Sequence, residues 1–214
     1  MPFDIMIRNG RVLDGTGAPW ALRDVGIRGD SIARVGRLGR AKAKLNIDAA
    51  GTYVAPGFID IHTHSDVGIL VEPICEAAVR QGVTTHVIGN CGDSPAPISE
   101  KYRELAVRRF AYYAQASEWT WSTYADYLGF VERQGVGINI AGLVGHGSVR
   151  LATMGFEARP PTKDELGRMK SYVGEAMRAG AFGMSTGLVY PPGCFAATEE
   201  VVELARVVAR RGGL

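Results

Sequence analysis

The chain has 214 residues, 46% hydrophobic and 21% charged, with 24 Lys and Arg against 22 Asp and Glu for a net charge of +2. That composition is globular, and it excludes a disordered tail, a fibrous protein and a field strong enough to draw the chain onto nucleic acid. No apolar run approaches the ~20 residues of a membrane helix, so neither nucleic acid nor membrane is an expected partner.

Glycine is the compositional outlier, with 28 residues, about twice the average share. Without a collagen period, that density points to many tight strand ends and turns. The three cysteines, Cys75, Cys91 and Cys194, are odd in number and widely spaced, which is no disulfide framework. The first 11 residues contain Asp4 and no apolar segment of signal-peptide type. The chain therefore reads as cytoplasmic, with reduced cysteines that are by default small buried hydrophobes.

In chain order, residues 3–8 alternate apolar and polar, and Asn9-Gly10 offers the turn of a tight hairpin returning through 11–14. A second hairpin is predicted from 24–28 and 31–35 around Gly29-Asp30, with further short strands at 45–48 and 53–55. Strands so few and short need partners. From Pro56-Gly57 onward the pattern becomes strand then helix. Strands are predicted at 58–64, 84–88, 137–144 and 181–186, and helices at 73–81, 99–116, 122–134, 162–179 and 199–211. Thr162 three residues before Glu165 is a helix-start signal, and Gly212-Gly213 is a stop after which Leu214 would open another strand. Repeated β–α units imply a parallel sheet and an α/β fold.

The chemistry gathers at strand ends. In Asp60-Ile61-His62-Thr63-His64-Ser65-Asp66, residues two apart on a strand share a face, so His62 and His64 can converge on one metal ion. Asp60 and Asp66 have the same parity and could join them directly or support them from behind. Cys91, in Gly89-Asn90-Cys91-Gly92, is either a thiolate ligand or a buried structural thiol. His86 has the opposite parity to Cys91 and is expected to face the helices. His146 is either a support for the site or a neighbour of a capping Ser148. Tyr190, in Ser185-Thr186-Gly187-Leu188-Val189-Tyr190-Pro191-Pro192, either hydrogen-bonds a substrate or packs on the prolines. The five lysines, Lys42, Lys44, Lys101, Lys163 and Lys170, all avoid the β–α strands, so no modified lysine can bridge two metals and Cys91 is the natural substitute. No glycine-rich phosphate loop follows a strand, which disfavours a nucleotide-binding protein.

Val54-Ala55-Pro56-Gly57-Phe58-Ile59-Asp60-Ile61-His62-Thr63-His64 resembles the opening strand of the amidohydrolase superfamily. Gln81-Gly82-Val83-Thr84-Thr85, Gly89-Asn90-Cys91-Gly92, Gly145-His146-Gly147 and the Ser185–Pro192 stretch narrow the resemblance to its N-acyl-D-amino-acid deacylases, the D-aminoacylases. The resemblance implies a (β/α)8 TIM barrel with its metal at the carboxyl end of the strands. Of that barrel about the first four units are expected at residues 56–214, after residues 1–55 as the N-terminal part of an accessory β-sandwich. It implies a hydrolase that cleaves the linear amide of a small N-acyl-D-amino acid to a carboxylate and the D-amino acid. It implies His62 and His64 as ligands of one metal position. Cys91 is implied as a ligand of a tightly held zinc, either alone there or shared with a second metal, and Val189 and Tyr190 are implied beside the substrate. Further histidine ligands and the general-base aspartate are implied to lie beyond residue 214. The chain alone is therefore expected to have little activity and to self-associate through open sheet edges. A dihydroorotase- or hydantoinase-like cyclic amidase and a non-catalytic half-barrel needing a partner chain are the alternatives, the former disfavoured by the missing strand lysine.

Overall fold

The alternation of the first twelve residues builds one long strand, not two short ones. In the computed structural model, which describes residues 2–110 and 118–214, strand β1 runs Phe3–Val12 without a break. The Asn9-Gly10 hairpin expected from sequence is instead a bulge. Asn9 takes the left-handed conformation, φ 60°, and its N–H donates to Asp24 Oδ1 at 3.1 Å. The register with the antiparallel neighbour shifts between Ile7 and Gly10. A left-handed residue can close a turn or be absorbed as an extra residue in a strand. Absorption wins because β1 has partners on both sides of it. Gly10 also admits close approach, since a Cβ there would lie 2.6 Å from the Val54 side chain.

The chain divides into two compact units, Met1–Gly57 and Phe58–Leu214. In the first, β2 (Ala21–Arg28), β3 (Ser31–Gly36), β4 (Ala43–Asp48) and β5 (Tyr53–Val54) join β1 in one five-stranded sheet. The expected β2–β3 hairpin is present and antiparallel, while β4 and β5 pair parallel to β1.

The second unit carries a four-stranded parallel sheet in chain order: β6 (Phe58–Asp60), β7 (Val83–Ile88), β8 (Asn139–Gly145) and β9 (Gly183–Ser185). Its helices are α1 (Gly68–Val71), α2 (Glu76–Val79), α3 (Arg103–Arg109), α4 (Tyr124–Gln134), α5 (His146–Met154), α6 (Lys163–Ala179) and α7 (Thr198–Ala209). The fold is α/β, as the alternating pattern requires. Helix α6 starts where the sequence signals it. The Thr162 hydroxyl accepts from Glu165 N, and the Glu165 carboxylate accepts from Thr162 N. The core joins Ile69, Ile88, Trp121, Tyr124, Tyr127, Met169 and Leu204, all essentially buried. Leu214 lies beside β9, its N–H bonded to Phe182 O at 3.0 Å and its carbonyl accepting from Met184 N at 2.9 Å. Among the described residues, no helix is long and apolar enough to cross a membrane.

Several elements differ from expectation. The first β–α strand stops at Asp60, so His62 and His64 lie in the bend beyond it. The helix expected at 73–81 is reduced to Glu76–Val79, entered through a left-handed Cys75 with φ 51°. The helix expected at 99–116 is a 3₁₀ turn, Glu100–Tyr102, followed by α3, and residues 111–116 lie outside the described residues. Helix α5 has no counterpart in the sequence reading. All nine of its residues are buried, the polar His146, Ser148, Arg150 and Thr153 included, so burial there does not follow the polarity that the sequence shows.

Candidate metal centre

The carboxyl ends of β6 and β7 carry the three donors. Beyond β6, His62 and His64 present exposed imidazoles with ring centroids 5.5 Å apart. Beyond β7, Cys91 is partly buried, and its Sγ lies 3.2 Å from His62 Nε2. One donor atom from each of His62, His64 and Cys91 lies within 4.8 Å of the others, and this is the one such His/Cys/Asp/Glu group among the described residues. Zinc bonds imidazole at about 2.0–2.1 Å and thiolate at about 2.3 Å, so neighbouring donors in a tetrahedron stand ~3.5 Å apart. The His62–Cys91 spacing matches that value, and the donor chemistry suits zinc.

The loop holding Cys91 is fixed through its backbone. Cys91 adopts φ 56°, a conformation that a side-chain-bearing residue keeps only when its surroundings enforce it. Gly89 N donates to Asp66 Oδ1 at 2.6 Å, and Gly89 O accepts from the Ser185 hydroxyl. The Cys91 carbonyl accepts from the Tyr190 hydroxyl. Gly92 N donates to Ser185 Oγ at 2.9 Å, and Gly92 O accepts from Ser148 N at 3.1 Å. Asn90 joins the two ligand loops, its side-chain amide donating to Thr63 O at 3.2 Å and Val87 O at 2.8 Å.

The remaining candidates fall elsewhere. Asp60 is exposed, and its carboxylate accepts from His62 N at 3.1 Å rather than from either ring. Asp66 is buried and braces the Cys91 loop at Gly89, not the imidazoles; burial pushes its carboxyl up to about 7. His146 is the first residue of α5, fully buried, with Nε2 2.8 Å from Glu200 Oε1. Arg150 Nη1 bonds the other Glu200 oxygen at 2.5 Å. His146 thus helps tie α5 to α7, and its bonded partner lies in neither ligand loop. Ser148 caps no helix; its hydroxyl exchanges two 2.8 Å bonds with the Ser94 backbone. His86 faces the helices as expected, its Nδ1 3.0 Å from Ser65 Oγ in a 290 Å³ cavity lined by Ile69, Glu72 and Cys75. Cys75 is buried, whereas Cys194 is exposed and so is no core hydrophobe.

Tyr190 is committed to Cys91. Burial and the nearby Asp93 carboxylate push its phenol upward, so it remains an O–H donor. Val189 is 91% exposed. Sequence reasoning passed over Asn90, Asp93 and Arg109. The position of Asn90 between Gly89 and Cys91 was a usable signal, since side-chain amides often bridge loop backbones. Arg109, on a helix remote in sequence, gave none.

The sequence profile of the amidohydrolase family matches residues 46–211. The chain belongs to the amidohydrolase family. It is 38% identical over 213 residues to the D-aminoacylase of Alcaligenes xylosoxydans xylosoxydans, covering 100% of this chain and 43% of that protein. To the N-acyl-D-glutamate deacylase of the same organism it is 43% identical over 211 residues, covering 99% and 42%. The solved structure of N-acyl-D-glutamate deacylase from Bordetella bronchiseptica, complexed with zinc and a phosphonate mimic of the tetrahedral intermediate, superposes with a TM-score of 0.88 at 38% identity, covering 100% of this chain and 44% of that one. This amidohydrolase chain therefore spans less than half the length of the relatives it matches.

Proposed function

We propose that this amidohydrolase chain supplies the His62–His64–Cys91 side of a zinc-dependent N-acyl-D-amino-acid deacylase. Its parallel strands form the first four units of a (β/α)8 barrel, and its first unit forms one part of an accessory β-sandwich. The observation that carries the reading is the convergence of two imidazoles and one thiol within 4.8 Å of one another, with His62 and Cys91 3.2 Å apart. It is supported by likeness to relatives that act on N-acyl-D-amino acids. Zinc held there supplies Lewis acidity, polarising an amide carbonyl and making water more acidic. The protein's own part is to hold the donors: Asn90 keeps the two ligand loops together, and Asp66, Ser185 and Tyr190 keep Cys91 turned toward His62. Val189, exposed on the loop beside Tyr190, is the proposed substrate contact. A reducing cytoplasm is the proposed compartment, because it keeps the Cys91 thiol available.

Among the described residues no carboxylate joins the trio, so slow turnover is expected of these residues by themselves. The test is hydrolysis by zinc-loaded protein offered matched D and L enantiomers of N-acetylglutamate and N-acetylmethionine, with dihydroorotate as the cyclic alternative. Slow, D-selective release of amino acid, abolished in Cys91→Ser, is expected. Equal use of both enantiomers, or preference for the cyclic amide, would overturn the reading. The zinc stoichiometry of the same sample separates one shared ion from a thiolate-bridged pair.

A further inference from the structure

Arg109, the last residue of α3, reaches three points around the Cys91 loop. Its Nε donates to the Asp93 carboxylate, two residues after Cys91. Its Nη1 donates to Pro191 O at 2.8 Å. Its guanidinium carbon lies 5.4 Å from the centroid of the Tyr190 ring, within cation–π range. The Arg109 and Asp93 side chains retain only 15% and 22% exposure, so the pair is better shielded than the surface ion pairs that contribute little. Tyr190 closes the circuit through its hydroxyl on the Cys91 carbonyl. A planar guanidinium suits this role, because it bonds in two directions in its plane and stacks with its face.

We infer that Arg109 is a positioning residue for Cys91. It clamps Asp93 to the Tyr190–Pro191 turn and thereby holds Cys91 in the left-handed conformation that aims its thiol at His62. Both grips act on the carboxyl side of the strained residue, Asp93 through the chain and Tyr190 through the Cys91 carbonyl. Releasing either lets the backbone at Cys91 relax toward negative φ and swings Sγ away from the imidazoles. Arg109 itself touches neither a metal donor atom nor a reacting group. The identity of the metal rests on the function proposed above, whereas the clamp rests on the contacts alone.

The test uses zinc alone as the probe, with affinity measured by competition against a chromophoric chelator. A second readout, taken without metal, is the iodoacetamide alkylation rate of each cysteine, resolved by peptide mass spectrometry. Arg109→Ala and Tyr190→Phe are each expected to weaken zinc binding ~10–100-fold, the usual loss for an outer partner of a ligand. Each is also expected to accelerate alkylation of Cys91 severalfold while buried Cys75 keeps its wild-type rate. The double variant should fall short of the product of the single effects, because both residues act through one contact network. Arg109→Lys keeps the charge but loses the planar fork, so it carries the test, with the same expected direction, if Arg109→Ala fails to fold. Unchanged Cys91 alkylation in a folded variant would overturn the clamp, as would Cys75 and Cys91 accelerating together, the mark of general loosening. If the wild-type protein binds no zinc, the metal reading falls and the alkylation ratio alone decides the clamp. If it binds zinc but uses both enantiomers equally or prefers the cyclic amide, only the substrate reading falls.

Discussion

The Nε2 of His62 lies 3.2 Å from the Sγ of Cys91, across 29 residues of sequence. Parallel strands β6 and β7 put their carboxyl ends side by side, and each ligand belongs to the loop that follows its strand. A parallel sheet thus converts two separate local motifs into one donor set, with active groups at the carboxyl edge as in other α/β folds. Cys91→Ser is expected to cost more zinc affinity than the ~10–100-fold typical of losing an outer partner, because it removes the softest donor. His62→Ala should act in the same direction. Cobalt substitution checks this directly: the thiolate-to-cobalt charge-transfer band should vanish in Cys91→Ser and survive, weakened, in His62→Ala.

The Cys91 loop requires glycine at position 89 for two reasons. Gly89 has φ 79°, and a Cβ placed there would run into the Leu143 carbonyl of β8. The left-handed conformation alone costs an ordinary residue about 1–2 kcal/mol, and the collision adds to that. Gly89→Ala is therefore expected to lower the denaturant midpoint by more than that conformational cost alone and to weaken zinc binding with it. Gly17→Ala provides the comparison. It has φ 83° with nothing within 4 Å of the added Cβ, so it should show the conformational cost only.

Much of the fold was legible because local chemistry and long-range partners agree. Thr162 and Glu165 announce α6, and the structure uses both in the expected bonds. The strand-end histidines were legible from their pairing, although the parity argument placed them on a strand that ends two residues before His62. Asn9-Gly10 misled because the same left-handed residue serves a hairpin or a bulge, and only the pairing of β1 with β2, β4 and β5 chooses between them. Helix α5 was missed, and its polar residues His146, Ser148, Arg150 and Thr153 are buried with the rest, a packing that the sequence pattern does not announce. His146 was drawn toward the site by its motif, yet its partner Glu200 is 54 residues away on α7. No local signal marks that pairing.

That buried cluster carries a stability prediction. Glu200 lies between His146 and Arg150, all three essentially excluded from solvent. Arg150 also bonds the carbonyls of Glu157 and Arg159, at 3.3 Å and 2.5 Å, fastening the segment before α6. Glu200→Ala strands a guanidinium in the interior, a change that typically costs about 3–5 kcal/mol. The two remaining carbonyl bonds place the expected loss at the low end of that range, read from urea denaturation. Glu200→Gln keeps the shape but not the charge and should lose stability in the same direction by less. Neither change touches His62, His64 or Cys91, so zinc affinity in the folded fraction should stay at the wild-type value.

The start of α6 gives a pH dependence with a definite sign. Hydrogen bonds from Arg159 first, and then from the Thr162 backbone, hold the Glu165 carboxyl down at about 2. Its unfolded value is near the ordinary ~4.3 for glutamate, so the folded state binds the proton less readily than the unfolded chain. The contribution of Glu165 is therefore fully present above about pH 4.3 and drains away as pH falls toward 2. Glu165→Gln should flatten stability across that acid window relative to wild type while differing from it most at neutral pH. Thr162→Ala removes the other half of the reciprocal cap and should cost ~1 kcal/mol at neutral pH. Part of that loss should recur when Glu165 is also replaced, because the two side chains bond each other's backbone N–H. Thermal unfolding of the single and double variants at pH 3 and pH 7 measures all of these quantities. A wild-type protein whose stability is independent of Glu165 across that window would show that the Glu165 carboxylate contributes nothing to folding.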